Sequence, residues 1–300
     1  MSSQNTNATT STQSEATPLV QTRITNWMAD FPWWGLILAL MGVLLVYSFA
    51  TSATYQDIIV YLIAGIRLTV IVTLVSFVLS IIIGLITAFA QMSEGTNIFS
   101  VIARNLATLY VQIIRGIPVI VLIFYTALVI VPATINGLNA LGDWMVSMGW
   151  LAADNTLSSL TSRGVSFVVR GIIALAINYG AFSSEVFRAG IQSIEKGQLE
   201  ASKALGLSWF QTMRYVVMPQ ALKRIMPPLG NDFISMLKES SLVSVLGVGE
   251  ITQLGKKYSA ASFLYPQTYN VVAFLYLTMT LILSMGVKYM EQRMEVGEDT

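Results

Sequence analysis

Between Leu68 and Ala90 the chain carries no charged side chain, and only Thr, Ser and Gly interrupt its apolar residues. A helix needs about 20 mostly apolar residues to cross the hydrocarbon core of a bilayer. In lipid every backbone N–H and C=O must be paired within the chain, so a run of this kind folds as a helix. Five more runs follow the same rule: Trp33 to Ala50, about Leu106 to Val131, about Phe167 to Ala189, a weaker one from about Pro227 to Glu250, and Asn270 to Tyr289. The fold class expected is therefore an all-α membrane protein with six transmembrane helices. Composition agrees: apolar residues make up 54% and charged residues 11%. A soluble domain carries about 25% charged residues.

The same composition excludes much chemistry. The sequence has no cysteine and no histidine, which removes disulfides, Ser-His-Asp and Cys-His triads and most zinc sites, so neither a metal site nor a catalytic residue is expected. The formal net charge of +1 offers no basic face to nucleic acid. The nearest approach to a phosphate-binding loop, Gly249 through Gly255–Lys256–Lys257, has one residue too many and Lys where Ser or Thr should hold magnesium.

Residues 1–32 are rich in Ser, Thr, Asn and Gln and are expected to form a disordered polar tail. Residues 33–51 form a separate first helix, with Trp33–Trp34 as an interfacial anchor. The segment 132–166 is semi-polar, carries Trp144 and Trp150, and reads as an extramembrane excursion. Residues 292–300 form a C-terminal tail. With both termini inside, most Lys and Arg fall on the cytoplasmic side, above all those of 186–225.

The stretch from Glu195 to Arg224 is the most informative. Glu200 to Leu205 favour a helix, Gly206 can end it and Ser208 can cap a second helix, which Pro219 is expected to interrupt. Two short helices at an angle make a knob that a partner's groove can hold.

Here the residues resemble the EAA loop of ATP-binding-cassette importer permeases: Glu-Ala-Ala, three residues, Gly, nine residues, then Ile-x-Leu-Pro. This sequence has Glu200–Ala201–Ser202, Gly206 and Val216–Val217–Met218–Pro219 at that spacing. Leu109–Tyr110–Val111 with Arg115–Gly116–Ile117–Pro118, Ser184–Glu185–Val186 with Arg188–Ala189–Gly190, Gly197–Gln198–Leu199–Glu200, Met218–Pro219–Gln220–Ala221 and Lys238–Glu239–Ser240–Ser241–Leu242 resemble further elements of the polar amino acid branch. The resemblance covers about residues 65–290. It implies a five-helix type I importer core at 65–291, with 132–166 as an insertion, 195–224 as the cytoplasmic coupling loop, and one extra N-terminal helix.

What the resemblance implies for function is a permease subunit in a bacterial cytoplasmic (inner) membrane, with no chemistry of its own. ATP and Mg²⁺ would be held by a separate ATPase, present in two copies, that grips Gly197, Glu200, Ala201, Ser202, Gly206, Met218 and Pro219. A second permease subunit, either the same chain or a paralogue, and an extracytoplasmic solute-binding protein would complete the importer of a polar amino acid.

Ionisable groups in a bilayer cost at least ~2.5 kcal/mol each at mid-depth and so line a polar path or pair up. Asn178, Phe182 and Glu185 share one helix face, with Tyr179 and Ser183 on the adjacent stripe. Along a path, Asn178, Tyr179 and Ser183 would meet the polar groups of an amino acid and Glu185 its ammonium or guanidinium; otherwise Glu185 pairs with Arg188. Arg115, beside the Gly116–Pro118 break, either binds a carboxylate or satisfies freed backbone carbonyls. Asn231, Ser235 and Lys238 share another face, with Glu239 beside it. A secondary transporter or channel that needs no ATPase accounts equally well for broken helices with charged residues, but not for the spaced loop.

Overall fold

The computed structural model describes residues 33–93, 95–152 and 159–295, so the expected polar tail at 1–32 and the last five residues of the C-terminal tail lie outside the described residues. The described residues form helices and no strand. Two compact units are distinguished, Met1–Ala53 and Thr54–Thr300. The first contains α1, Trp33–Thr51, whose Leu36, Ile37, Leu40, Val43, Leu44 and Tyr47 are exposed. A helix apolar all round suits a hydrocarbon environment.

The second unit holds all but the first residue of α2, Ala53–Gln91, which extends the expected apolar run upstream through Asp57 and Arg67. Its buried residues Leu62, Gly65, Thr69, Val72, Ser76, Ser80, Gly84 and Thr87 make one narrow stripe, while Val60, Val78, Ile82 and Ile86 point outward. Small residues let helix backbones approach closely in a membrane. Here they admit α6, Phe167–Gln192: Ser76 Oγ donates to Ile172 O at 3.3 Å, and a Cβ on Gly84 would lie 2.7 Å from the Ser183 Cβ.

The run expected at 106–131 is divided as its Gly116–Pro118 break requires. Helix α3 is Ile98–Gly116, capped at its start by the Asn97 side chain. Ile117 is extended, as the residue before a proline prefers, and α4 follows at Val119–Tyr125. A π-turn, Thr126–Ile130, then leads without interruption into α5, Val131–Ser147, so the helix continues well past residue 132, where the excursion was expected to begin. Both segments lie along α6. Tyr110 of α3 donates to Ile177 O at 2.6 Å, and Leu122 of α4 joins Val111, Ile114 and Ala181 in one apolar cluster. Further along, Arg170 Nη1 donates to Ala127 O in the π-turn at 2.7 Å.

After the loop that follows α6 come α9, Met218–Glu239, a 3₁₀ turn at Ser240–Leu246, α10, Ile251–Ser262, and α11, Tyr265–Glu295. Helix α9 packs between α6 and α11, with Gly190 of α6 against Ile225 and Gly230 against Val287 of α11. Among the described residues, five helical stretches are long and apolar enough to cross a membrane: Ala53–Gln91, Ile98–Gly116, Val119–Ser147, Phe167–Gln192 and Tyr265–Arg293. Leu40–Thr51 is a shorter apolar helix. Five spans and one shorter apolar helix thus answer to the six helices expected, but the membership changes. The break yields two stretches where one was expected, and the weak 227–250 run is not among the five: α9 begins at Met218, ends at Glu239, and carries Lys223, Arg224, Asp232, Lys238 and Glu239.

Candidate functional site: a surface knob and a polar cavity

The knob is built by local rules. Helix α7, Lys196–Ala204, ends at Leu205, and Gly206 takes φ +75°, a conformation open to glycine at no steric cost. Helix α8, Trp209–Thr212, opens with a capping box in which Ser208 Oγ accepts from Gln211 N and Gln211 Oε1 accepts from Ser208 N. Between the two helices Thr212 Oγ1 donates to Ser202 Oγ at 3.1 Å, and Ser202 Oγ donates in turn to Leu199 O at 2.8 Å. Ser202 is buried, so the hydroxyl that departs from the motif's Ala has a polar partner waiting in the facing helix.

Pro219 does not interrupt the second helix, contrary to expectation. A π-turn at Met213–Val217 carries α8 into α9, and Pro219 occupies the first turn of α9, where a missing N–H is tolerated. Gln220 Nε2 donates to Val216 O at 2.9 Å. Residues 209–239 thus form one helical line from the knob into the bundle. Gly197, Glu200, Ala201, Gly206 and Pro219 are exposed and Met218 is half-buried. At the tip Leu205, Trp209 and Phe210 are exposed apolar residues.

The cavity lies between α3 and α6, has a volume of ≈ 680 Å³, and is lined by Gln91, Arg104, Thr108, Val111, Gln112, Arg115, Gly116, Glu185, Arg188 and Gln192. It therefore brings together Arg115 and Glu185, two residues that the sequence places on different helices. The Arg115 guanidinium sits 5.5 Å from the Phe182 ring centroid, in cation–π contact. Ile117 N, not a guanidinium, donates to the freed Ile114 O at 3.3 Å. Glu185 accepts from Arg188 in an i,i+3 ion pair, and Arg188 Nη1 also donates to Gln192 Oε1 at 3.0 Å. Arg104 donates to Ser93 O at 3.2 Å. Gln91 Oε1 is buried and has no hydrogen-bond partner among the described residues.

The other three residues expected on a path are placed elsewhere. Asn178, Tyr179 and Ser183 are buried and do not line the cavity. Ser183 packs at the α2–α6 crossing against Gly84. Tyr179 faces α9, where it interacts with Glu239 and Asp232. Asp232 and Glu239 stand at i, i+7 on α9, each with one buried carboxylate oxygen lacking a hydrogen-bond partner among the described residues. Asp232, Gln91, Arg104, Gln112 and Gln192 were not anticipated. The i, i+7 carboxylates were a readable signal, whereas the glutamines carry none. The Gly249–Lys257 segment also has a definite structure: the Glu250 carboxylate accepts from Thr252 N and Gln253 N, both at 2.8 Å, and so fills the helix N-terminus that a phosphate would need.

A family model described as "Binding-protein-dependent transport system inner membrane component" matches residues 80–296. The glutamine transport system permease protein GlnP of Escherichia coli (strain K12) is 32% identical over 235 residues, covering 78% of this chain and 93% of that protein. The arginine transport system permease protein ArgU of Corynebacterium glutamicum is 35% identical over 231 residues, covering 76% of this chain and 66% of that one. Among solved structures, an amino acid ABC transporter with histidines matches with a TM-score of 0.62 at 30% identity, over 82% of this chain and 98% of that chain. The MetNI methionine ABC transporter in an inward-facing conformation matches in fold, with a TM-score of 0.59 at 20% identity over 81% and 99% of the two chains.

Proposed function

The chain belongs to the family of binding-protein-dependent transport system inner membrane components, and from that premise we propose how it couples transport to a partner's ATPase. It is a multi-pass permease subunit of an amino acid ABC importer, and the ATP-independent alternative leaves both its relatives and its knob without an explanation. The family implies an ATPase and a substrate-binding protein as partners.

In the reading we favour, two copies of the ATPase, holding ATP and Mg²⁺, dock on the cytoplasmic side, and this subunit pairs with a second copy or a paralogue. Both termini lie inside, residues 65–291 act as the permease domain, and 132–166 is an insertion. The docking face is Gly197, Glu200, Ala201 and Gly206 with the exposed Phe210 at the tip, supported from behind by Ser202 and joined to the bundle through Met218–Pro219. One observation carries this reading: α8, the Met213–Val217 π-turn and α9 are continuous. A displacement of the knob is therefore delivered to the helix packed between α6 and α11.

The substrate is a polar amino acid, in line with the glutamine and arginine permeases named above. In this reading its carboxylate meets Arg115, and its ammonium or cationic side chain meets Glu185 and Gln91. Asn178, Tyr179 and Ser183 lie behind that path, with Tyr179 turned to the carboxylates of α9. The test is an affinity pull-down from native membranes, comparing the parent chain with Gly206→Pro, both shown to insert. An ATPase recovered with the parent and lost with the variant is the expected result. Amino acid uptake by the purified chain alone, with no ATPase recovered by either, would overturn the proposal.

A further inference from the structure

Helix α7 has two faces with different chemistry. Gly197, Glu200, Ala201 and Ala204 are exposed on one side. Lys196, Leu199 and Lys203, at i, i+3 and i+7, line the other. That second face closes a cleft of ≈ 1220 Å³ behind the knob, whose apolar walls include Phe89 of α2 and Met92 just past its end, Ile191 and Ile194 at the end of α6, and Met213 and Val217 of the π-turn. Part of this wall belongs to the apolar cluster around Phe187 and Ile225. The cleft is therefore apolar within, and it has two ammonium groups on the knob side that make no ion pair among the described residues.

Its level in the membrane is set by its walls. Helices α2 and α6 are membrane-crossing stretches that end at Gln91 and Gln192, and the cleft opens within one turn of both ends. An occupant must offer apolar length to Phe89, Met92 and Ile191 and an anionic group to Lys196 and Lys203. A free anion satisfies only the lysines, and a neutral lipid only the walls.

We infer that this cleft binds an anionic phospholipid of the surrounding membrane, its phosphate held by Lys196 and Lys203 and its acyl chains laid along the ends of α2 and α6. Basic residues at the membrane surface attract anionic lipid with about 1 kcal/mol each, so two of them give a preference over neutral lipid of roughly thirtyfold. The lipid then lies between α7 and the bundle and braces the knob from the side opposite its proposed docking face. The inference rests on the proposed cytoplasmic placement of the loop only for the leaflet that supplies the lipid.

The full-length chain is reconstituted in nanodiscs of equal phosphatidylcholine and phosphatidylglycerol, and the lipid retained on release is identified by native mass spectrometry. Roughly thirtyfold enrichment of phosphatidylglycerol is expected for the parent and for Arg214→Gln, a change on the same loop outside the cleft. The Lys196→Gln/Lys203→Gln variant, which alters two exposed side chains and is checked by its helical circular dichroism, should lose that enrichment. A photoactivatable phosphatidylglycerol should label the Met92, Leu199 and Met213 region. Equal retention of both lipids, enrichment that survives the double change, or labelling confined to other helices would sink the inference. Displacement of the lipid by inorganic phosphate or glycerol 3-phosphate would reassign the site to a free anion. ATPase recovery in the pull-down is a separate readout, so a chain that captures its ATPase yet shows no lipid preference refutes this inference alone.

Discussion

The knob and the cavity are both polar features of an apolar chain, but they are assembled in opposite ways. Every group that shapes the knob lies between residues 202 and 219: the Gly206 turn, the Ser208–Gln211 box, the Ser202–Thr212 hydroxyl pair and the π-turn before Pro219. The cavity gathers Gln91 from α2, Arg104, Gln112 and Arg115 from α3, and Glu185, Arg188 and Gln192 from α6. Capping and turn geometry are decided by near neighbours, so a knob of this kind can be written as a contiguous motif. A cavity between helices exists only after their small residues have let them pack, and no spacing rule within one helix announces it.

If that contrast is right, changes in the two regions should separate assembly from transport. The largest effect is expected at the knob tip, where Phe210→Ala removes an exposed aromatic anchor. Hot-spot aromatics lose about 2 kcal/mol or more on truncation, so ATPase affinity should fall on the order of thirtyfold in a titration of the solubilised permease. Unchanged affinity would move the docking surface elsewhere on the loop.

Arg115→Gln acts in the cavity instead. Losing a hydrogen bond to a charged partner costs about 1.5–3 kcal/mol, and amino acid uptake by the reconstituted complex should drop roughly tenfold or more while ATPase recovery stays at the parent level. A loss of recovery together with uptake would mean that Arg115 supports the fold.

A smaller and more discriminating effect is expected for Glu185→Gln. Its ion pair with Arg188 is partly exposed and contributes at most about 1 kcal/mol. A role confined to that pair lowers uptake of all substrates alike and only slightly. A role on the path lowers uptake of arginine well below that of glutamine, and measuring both substrates on one preparation decides between the two.

The smallest effect belongs to Ser202→Ala. It deletes one hydrogen-bond partner of Thr212 inside the knob, worth about 1 kcal/mol. ATPase recovery should fall a few-fold at most, and Ser202→Ala/Thr212→Val should restore it. Failure of the double change to rescue would show that the hydroxyl pair does not set the angle between α7 and α8.

Much of this organisation is legible in the residues themselves. The apolar run at 68–90, the Gly116–Pro118 break, the Gly206 stop and the Ser208 cap all appear where the sequence places them. Two features mislead. Pro219 looks like a helix breaker, yet the preceding π-turn absorbs the missing N–H and keeps the line continuous. The weak 227–250 run looks like a marginal span because hydropathy scores contact with lipid. Helix α9 packs between α6 and α11, and polar side chains such as Asp232 and Glu239 are carried there without facing hydrocarbon all round.

By itself the sequence determined that this chain is helical and membrane-bound, and where its EAA motif lies. Backbone satisfaction in lipid and the geometry of caps and turns act over short stretches, and so are written in neighbouring residues. Tertiary structure alone decided which polar residues meet. It set Asn178, Tyr179 and Ser183 inside the helix packing and turned Arg115 towards the cavity that Glu185 also lines. It also gave α7 one face for solvent and one for the apolar cleft. The reason is physical: helix faces are assigned by the close approach of distant backbones at Gly84 and Gly190, and a residue's own helix does not record which neighbour will arrive.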